Sequence, residues 1–250
     1  ESQAVIYSRG FASIYGEYET TGEAADGVMK TIPEAVRFPE PRRPVQVRLR
    51  KRHADQSFSE IWQTTIDPAS RHVHRAAVTE HNVWSVFENG EPAIKVDLLI
   101  LGDGYTAEEM DKYRADVRRM TGHLFDHEPF AARKSDFNVW AIDLPSEQSG
   151  VNRPHVGQVR RTPVSAEYNI FGSERYLLTF DNRRLRDVLS AAPYEFLEIL
   201  VNEEQYGGGG IYNFQATTAV DTEFADYIFV HEFGHHFAGL ADEYYTSSVA

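Results

Sequence analysis

His231-Glu232-Phe233-Gly234-His235 is the stretch of this chain whose residue types and spacing spell out a reaction. On a helix, residues i and i+4 share a face, so two imidazoles converge on one point. Neutral imidazole is a good ligand for Zn2+, and a catalytic zinc takes three protein ligands and leaves one position for water. Glu232 sits one residue along, where its carboxylate reaches that water without binding the ion. Elsewhere this signature is followed by x-x-G-x-x and a third ligand. Here Ala238 and Ala241 stand in those two places, while Gly239 and Asp242 keep the interval one residue late. The reading is a turn with one extra residue, giving His231, His235 and Asp242 as ligands and Glu232 as catalytic base. Glu243 competes for the third position, or orients a histidine from behind it. Tyr244 or Tyr245, placed by proximity in sequence, is the candidate for stabilising the oxyanion. His236 points about 100° away from His235 and is read as structural or surface. A buried amphipathic helix with satisfied core histidines is the bland alternative for the whole motif.

Asp221-Thr222 offers a helix N-cap, and Phe224, Tyr227, Ile228, His231 and His235 follow at helical spacing. The histidines thus continue a face that begins apolar. Gly239 suits a left-handed helix end. Four glycines, Gly207 to Gly210, precede Ile211 to Ala216. Glycine lets another backbone approach, so Gly208, Gly209, Gly210 and Tyr212 are expected in an edge strand that pairs with an extended peptide substrate. A mobile turn is the alternative.

Upstream, Ile94 to Leu101 reads as a buried strand, and Thr106 to Glu109 as a capping box. Met110, Tyr113, Val117, Met120 and Leu124 form the apolar stripe of the helix that the box opens. Gly102-Asp103-Gly104 lacks the lysine and full spacing of a phosphate loop and is read as a tight turn. Asn138 to Ile142 reads as a second strand. Residues 145–162 form a long polar connection. Leu185 to Leu200 reads as one helix interrupted or started afresh at Pro193. Residues 1–80 read as β-rich, with strict alternation from Val45 to Arg50. His72-Val73-His74 is expected to put two histidines on one strand face. A boundary between Arg75 and Glu91 divides the chain into residues 1–80 and 81–250.

The chain has 250 residues, 42% hydrophobic and 12% aromatic, enough for one large or two modest cores. A net charge of −13 argues against nucleic acid as a partner. No apolar run is long enough to span a membrane. With no cysteine, thiolate ligands, cysteine nucleophiles and internal disulfides are excluded.

Three clusters then carry a family likeness. Tyr206 to Asn213, Val230 to His235 and Ala238 to Tyr245 resemble the M64 metallopeptidases, the IgA peptidase family of bacteria. Asp97 to Thr106 and Ser149-Gly150-Val151 extend the match. Tyr7 to Phe11 and Gly16-Glu17-Tyr18 are similar to the family's N-terminal accessory domain. The resemblance implies an α+β fold: a β-rich accessory domain, then a zincin-like domain with a mixed sheet and an active-site helix. It implies a Zn2+ endopeptidase with His231, His235 and Asp242 as ligands and Glu232 as base. It implies a secreted, cell-surface or periplasmic bacterial protein that acts on protein or peptide, immunoglobulin or another host mucosal protein among them. It also implies a chain that starts inside the accessory domain and stops short of where family members continue. The reading from another class is a protein- or glycan-binding module with a structural metal site.

Overall fold

The computed structural model describes residues 4–75 and 80–242. They group into two compact units, one of residues 4–9 and 36–75, the other of residues 10–35 and 80–242.

In the smaller unit, β1 (Val45–Arg52) and β2 (Phe58–Ile66) pair antiparallel, with a register shift between Leu49 and Arg50. Val45, Val47 and Leu49 are half-buried between exposed polar neighbours, as their alternation predicts. His72-Val73-His74 follows in a turn rather than on a strand, and both histidines are exposed. The turn begins at Asp67, whose carboxylate accepts the Ala69 N–H, so the chain leaves β2 before it reaches them.

The larger unit begins with two short helices, α1 (Ile14–Tyr18) and α2 (Gly22–Ala25). Then come β3 (Asn82–Phe87), β4 (Val96–Asp103), α3 (Met110–Phe125), α4 (Phe130–Arg133) and β5 (Phe137–Asp143). Two minimal strands follow, β6 (Ala166–Glu167) and β7 (Leu178–Thr179). The unit closes with α5 (Asn182–Leu189), β8 (Phe196–Val201), β9 (Gly208–Ile211), β10 (Gln215–Ala219) and α6 (Ala225–Ala238). Six strands form one mixed sheet in the order β3-β5-β4-β8-β10-β9. The four inner strands are parallel, and β3 and β9 are antiparallel edges.

Both faces of the sheet are covered. Leu98, Ile100, Val139 and Leu200 meet α3 and α6 on one face. Leu99, Leu101, Leu197, Ile199 and Val201 meet α5 on the other. The stripe of α3 is as expected: Tyr113, Val117, Met120 and Leu124 are fully buried. Each such aliphatic side chain contributes about 1.5–3 kcal/mol by leaving water. The capping box is present, with the Glu109 carboxylate accepting the Thr106 N–H at 2.8 Å.

Leu185 to Leu200 is not one helix. It is α5, a break around Pro193, and the strand β8. A strand covered on both faces reads as a continuous apolar run, and periodicity cannot separate it from a buried helix.

Candidate metal centre

α6 lies across β9 and β10, and the glycines of β9 are what let it lie so low. A Cβ at Gly208 would stand 2.6 Å from Ile228 Cγ2 and 2.8 Å from Glu232 Oε1. A Cβ at Gly210 would collide with the Glu232 carbonyl oxygen. The helix therefore rests on bare backbone, with the Glu232 side chain against the strand.

α6 starts at Ala225, not at Asp221-Thr222. The Ala225 N–H closes a turn onto the Thr222 carbonyl, and Asp221 pairs with Lys112 at 2.9 Å. The helix ends at Ala238, and Gly239 takes a left-handed conformation with φ 63°. Its buried face is Ala225, Ile228, Phe229, Phe233 and His236. Of the face expected to lead into the histidines, Ile228 is buried but Phe224 and Tyr227 are exposed. His231 and His235 instead stand half-buried beside the core, where an ion and solvent both have access.

Their Nε2 atoms are 3.0 Å apart. Past the helix end the chain turns back, and Asp242 Oδ1 lies 3.2 Å from His231 Nε2 and 3.1 Å from His235 Nε2. That oxygen is buried and, among the described residues, has no hydrogen-bond partner of good geometry. Three donor atoms thus form a nearly equilateral triangle. Zinc bonds of about 2.0–2.1 Å at tetrahedral angles would set such atoms roughly 3.3 Å apart. The Leu240 carbonyl faces His235 Nδ1 at 2.5 Å. Nδ1 therefore carries the proton and Nε2 presents a lone pair, the arrangement of a metal-bound imidazole. The donor set fits a zinc ion.

Glu232 completes the cluster, with ligand-capable atoms of His231, Glu232 and His235 all within 4.8 Å of one another. Burial pushes its carboxyl up to about 8; the nearby Asp242 charge adds to the shift and Arg175 opposes it. Burial also holds His231 below the usual histidine range, with His235 contributing in the same direction.

β9 is the edge strand expected, and its outer edge is partly occupied. The Gly208 N–H donates to the Arg175 carbonyl, and the Leu177 N–H donates to the Gly208 carbonyl. The Tyr212 carbonyl accepts from Ala12. Gly209 turns its backbone inward to β10, opposite Thr217. By strand alternation Gly210 faces outward between these two anchored points. Glu243, Tyr244 and Tyr245 lie outside the described residues.

Some neighbours come from α6 itself, and others, delivered by distant segments, carry no signal in the sequence. The ring of Tyr227 stacks on His231 with centroids 5.5 Å apart. The Tyr176 hydroxyl and the Glu17 carboxylate of α1 act on each other, and the charges of His235 and Asp242 act on Glu17. His236, one turn past Glu232, is buried in the core and structural. Its Nε2 accepts the Leu197 N–H at 3.1 Å, and its Nδ1–H donates to the Ile211 carbonyl at 2.9 Å.

A family model described as IgA Peptidase M64 matches residues 85–250. One described as Peptidase M64 N-terminus matches residues 1–63. No curated protein matches the chain.

Proposed function

We propose, since this chain belongs to the M64 peptidase family, that it is a zinc-dependent endopeptidase whose larger unit is a zincin-like catalytic domain. The observation that carries the reading is the triangle of His231 Nε2, His235 Nε2 and Asp242 Oδ1 with the Glu232 carboxyl beside it. Those three residues would hold the ion, which when bound makes water nucleophilic near neutral pH and polarises a carbonyl. Glu232 takes a proton from the attacking water on a carboxyl oxygen and passes it to the nitrogen of the departing amine. A carboxyl raised towards neutrality by its buried seat is suited to both transfers. The bond from His235 to Leu240 fixes the ring. Gly210 offers an outward N–H and carbonyl to one residue of an extended peptide, while Gly208 and Tyr212 are already anchored on either side. Tyr244 or Tyr245, just past Asp242, is proposed to face the oxyanion.

The family reading also supports a secreted bacterial protein acting on an immunoglobulin or another host mucosal protein. Among the described residues no helix is long and apolar enough to cross a membrane.

The test is digestion of a mixed protein substrate before chelation, after it, and after zinc is returned. Loss of internal peptide cleavage on chelation, restored by zinc, is expected. Cleavage that a chelator leaves untouched would contradict the reading.

A further inference from the structure

Glu198 is a side chain that the packing of the core does not account for. It stands on β8, inside the sheet, and is fully buried. Among the described residues neither carboxyl oxygen has a hydrogen-bond partner. Such a group is expensive to ionise. Burial, with the Glu232 charge adding to it, pushes its pKa well above the carboxylate range, so it carries a proton to donate.

The strand register shows where it points. Glu198 pairs with Ala216 of β10, and Ala216 pairs with Gly210 of β9, so the three form one row across the sheet. Alternation places Glu198 with Leu200, on the face covered by α6, and opposite Leu197 and Ile199. At the far end of the row, a Cβ on Gly210 would stand 3.0 Å from Glu232 Oε2. Between the two carboxyls the row presents only a methyl group and a hydrogen. Strands about 4.8 Å apart put the row's ends roughly 10 Å apart at Cα, a gap that a glutamate reaching in from each side largely closes.

Thr218 stands two residues along β10 on the same face. It is fully buried, and among the described residues its hydroxyl has no hydrogen-bond partner. It pairs with Gly208, the other glycine against which Glu232 rests. Buried polar atoms without protein partners are commonly joined by an ordered water.

We infer that Glu198 and Thr218 hold a buried water against the inner side of the Glu232 carboxyl, making Glu198 a positioning residue for the base. Glu198 donates to that water, and the water donates to one oxygen of Glu232, leaving the other oxygen to face the substrate side. The inference rests on the reading of Glu232 as base.

The experiment compares Glu198→Gln, Glu198→Met and Thr218→Val in the full chain, with kcat, KM and bound zinc measured for each. Glu198→Gln keeps a neutral donor of the same shape and should hold kcat within about threefold. Glu198→Met should lose roughly tenfold or more in kcat, with KM and zinc content unchanged. Thr218→Val should lose kcat severalfold, and it decides the matter if Glu198→Met does not fold. Wild-type kcat in Glu198→Met or in Thr218→Val would overturn the inference, as would equal losses in the Gln and Met variants. Glu232→Gln run alongside separates the two levels. If it is inactive while the other variants are normal, only this inference fails; if it is fully active, the base assignment fails.

Discussion

His231 and His235 hold their Nε2 atoms 3.0 Å apart, ring set edge-on to ring, with centroids 4.5 Å apart. Two imidazole lone pairs at that separation repel each other unless a proton or a cation lies between them. The Leu240 carbonyl takes the other proton of His235, and Asp242 brings a negative oxygen to the same spot. The arrangement is suited to a shared cation. Asp242→Ala should therefore weaken zinc binding by on the order of 100-fold or more, at least matching the loss of an outer-shell partner. Titration with a competing chelator measures it. If Asp242→Ala binds normally and Glu243→Ala does not, Glu243 is the third ligand.

Gly210→Ala tests the seat of the helix on the strand. The new methyl would meet the Glu232 carbonyl oxygen and come within 2.9 Å of His235 Cβ. Neither atom moves without shifting α6. The variant should lose about 1–3 kcal/mol of stability and lose activity well beyond what the fraction still folded explains. A protein with unchanged melting and unchanged turnover would show that α6 is not held there.

His236 separates a packing histidine from the two proposed ligands. Its Nε2 stands in for a strand partner at Leu197, where β10 has not yet begun to pair with β8. His236→Phe should leave that N–H unpaired and lower stability by about 1–3 kcal/mol, with zinc content unchanged in the folded protein. Loss of zinc with normal stability would reverse the assignment.

Asp143 gives the fold a dependence on acid. It accepts from Asn82 at 2.6 Å, Trp84 Nε1 at 2.9 Å and Arg114 at 2.6 Å, joining β3, β5 and α3. Burial alone would raise its pKa, but these partners outweigh burial and hold the carboxyl below the usual range. A depressed pKa stabilises the fold above the unfolded value, near 4, and that contribution is lost as pH falls through the folded value. Unfolding followed from pH 7 down to 2 should show wild type losing stability below about pH 4, and Asp143→Asn losing less over that range. Identical acid limbs would contradict the assignment.

Much of this was legible in the residues. The alternation of β1, the capping box at Thr106, the stripe of α3 and the left-handed end at Gly239 are local patterns, and each marks its element directly. β8 escaped because a strand buried on both faces has no period of two, and Pro193 beside it reads as readily as a helix break. The start of α6 moved because Asp221 is drawn to Lys112, a tertiary contact that outweighs its capping preference. The spacing of His231 and His235 predicts a shared face, and the structure gathers both with Glu232 in one cluster. What the residues could not show is how α1 and the stretch from Arg175 to Leu177 reach the same neighbourhood, since Glu17 and Tyr176 are far apart in the chain. Nor does composition reveal that Gly208 and Gly210 make room for a helix while Gly208 is already paired along its outer edge.

The most direct measurement is the turnover of Glu232→Gln against wild type at equal bound zinc. The exchange keeps the shape and removes the proton acceptor. Full zinc occupancy is expected in both proteins, with turnover lower by roughly 100- to 10,000-fold in the variant. Turnover equal to wild type, with zinc bound, would contradict the assignment of Glu232 as base.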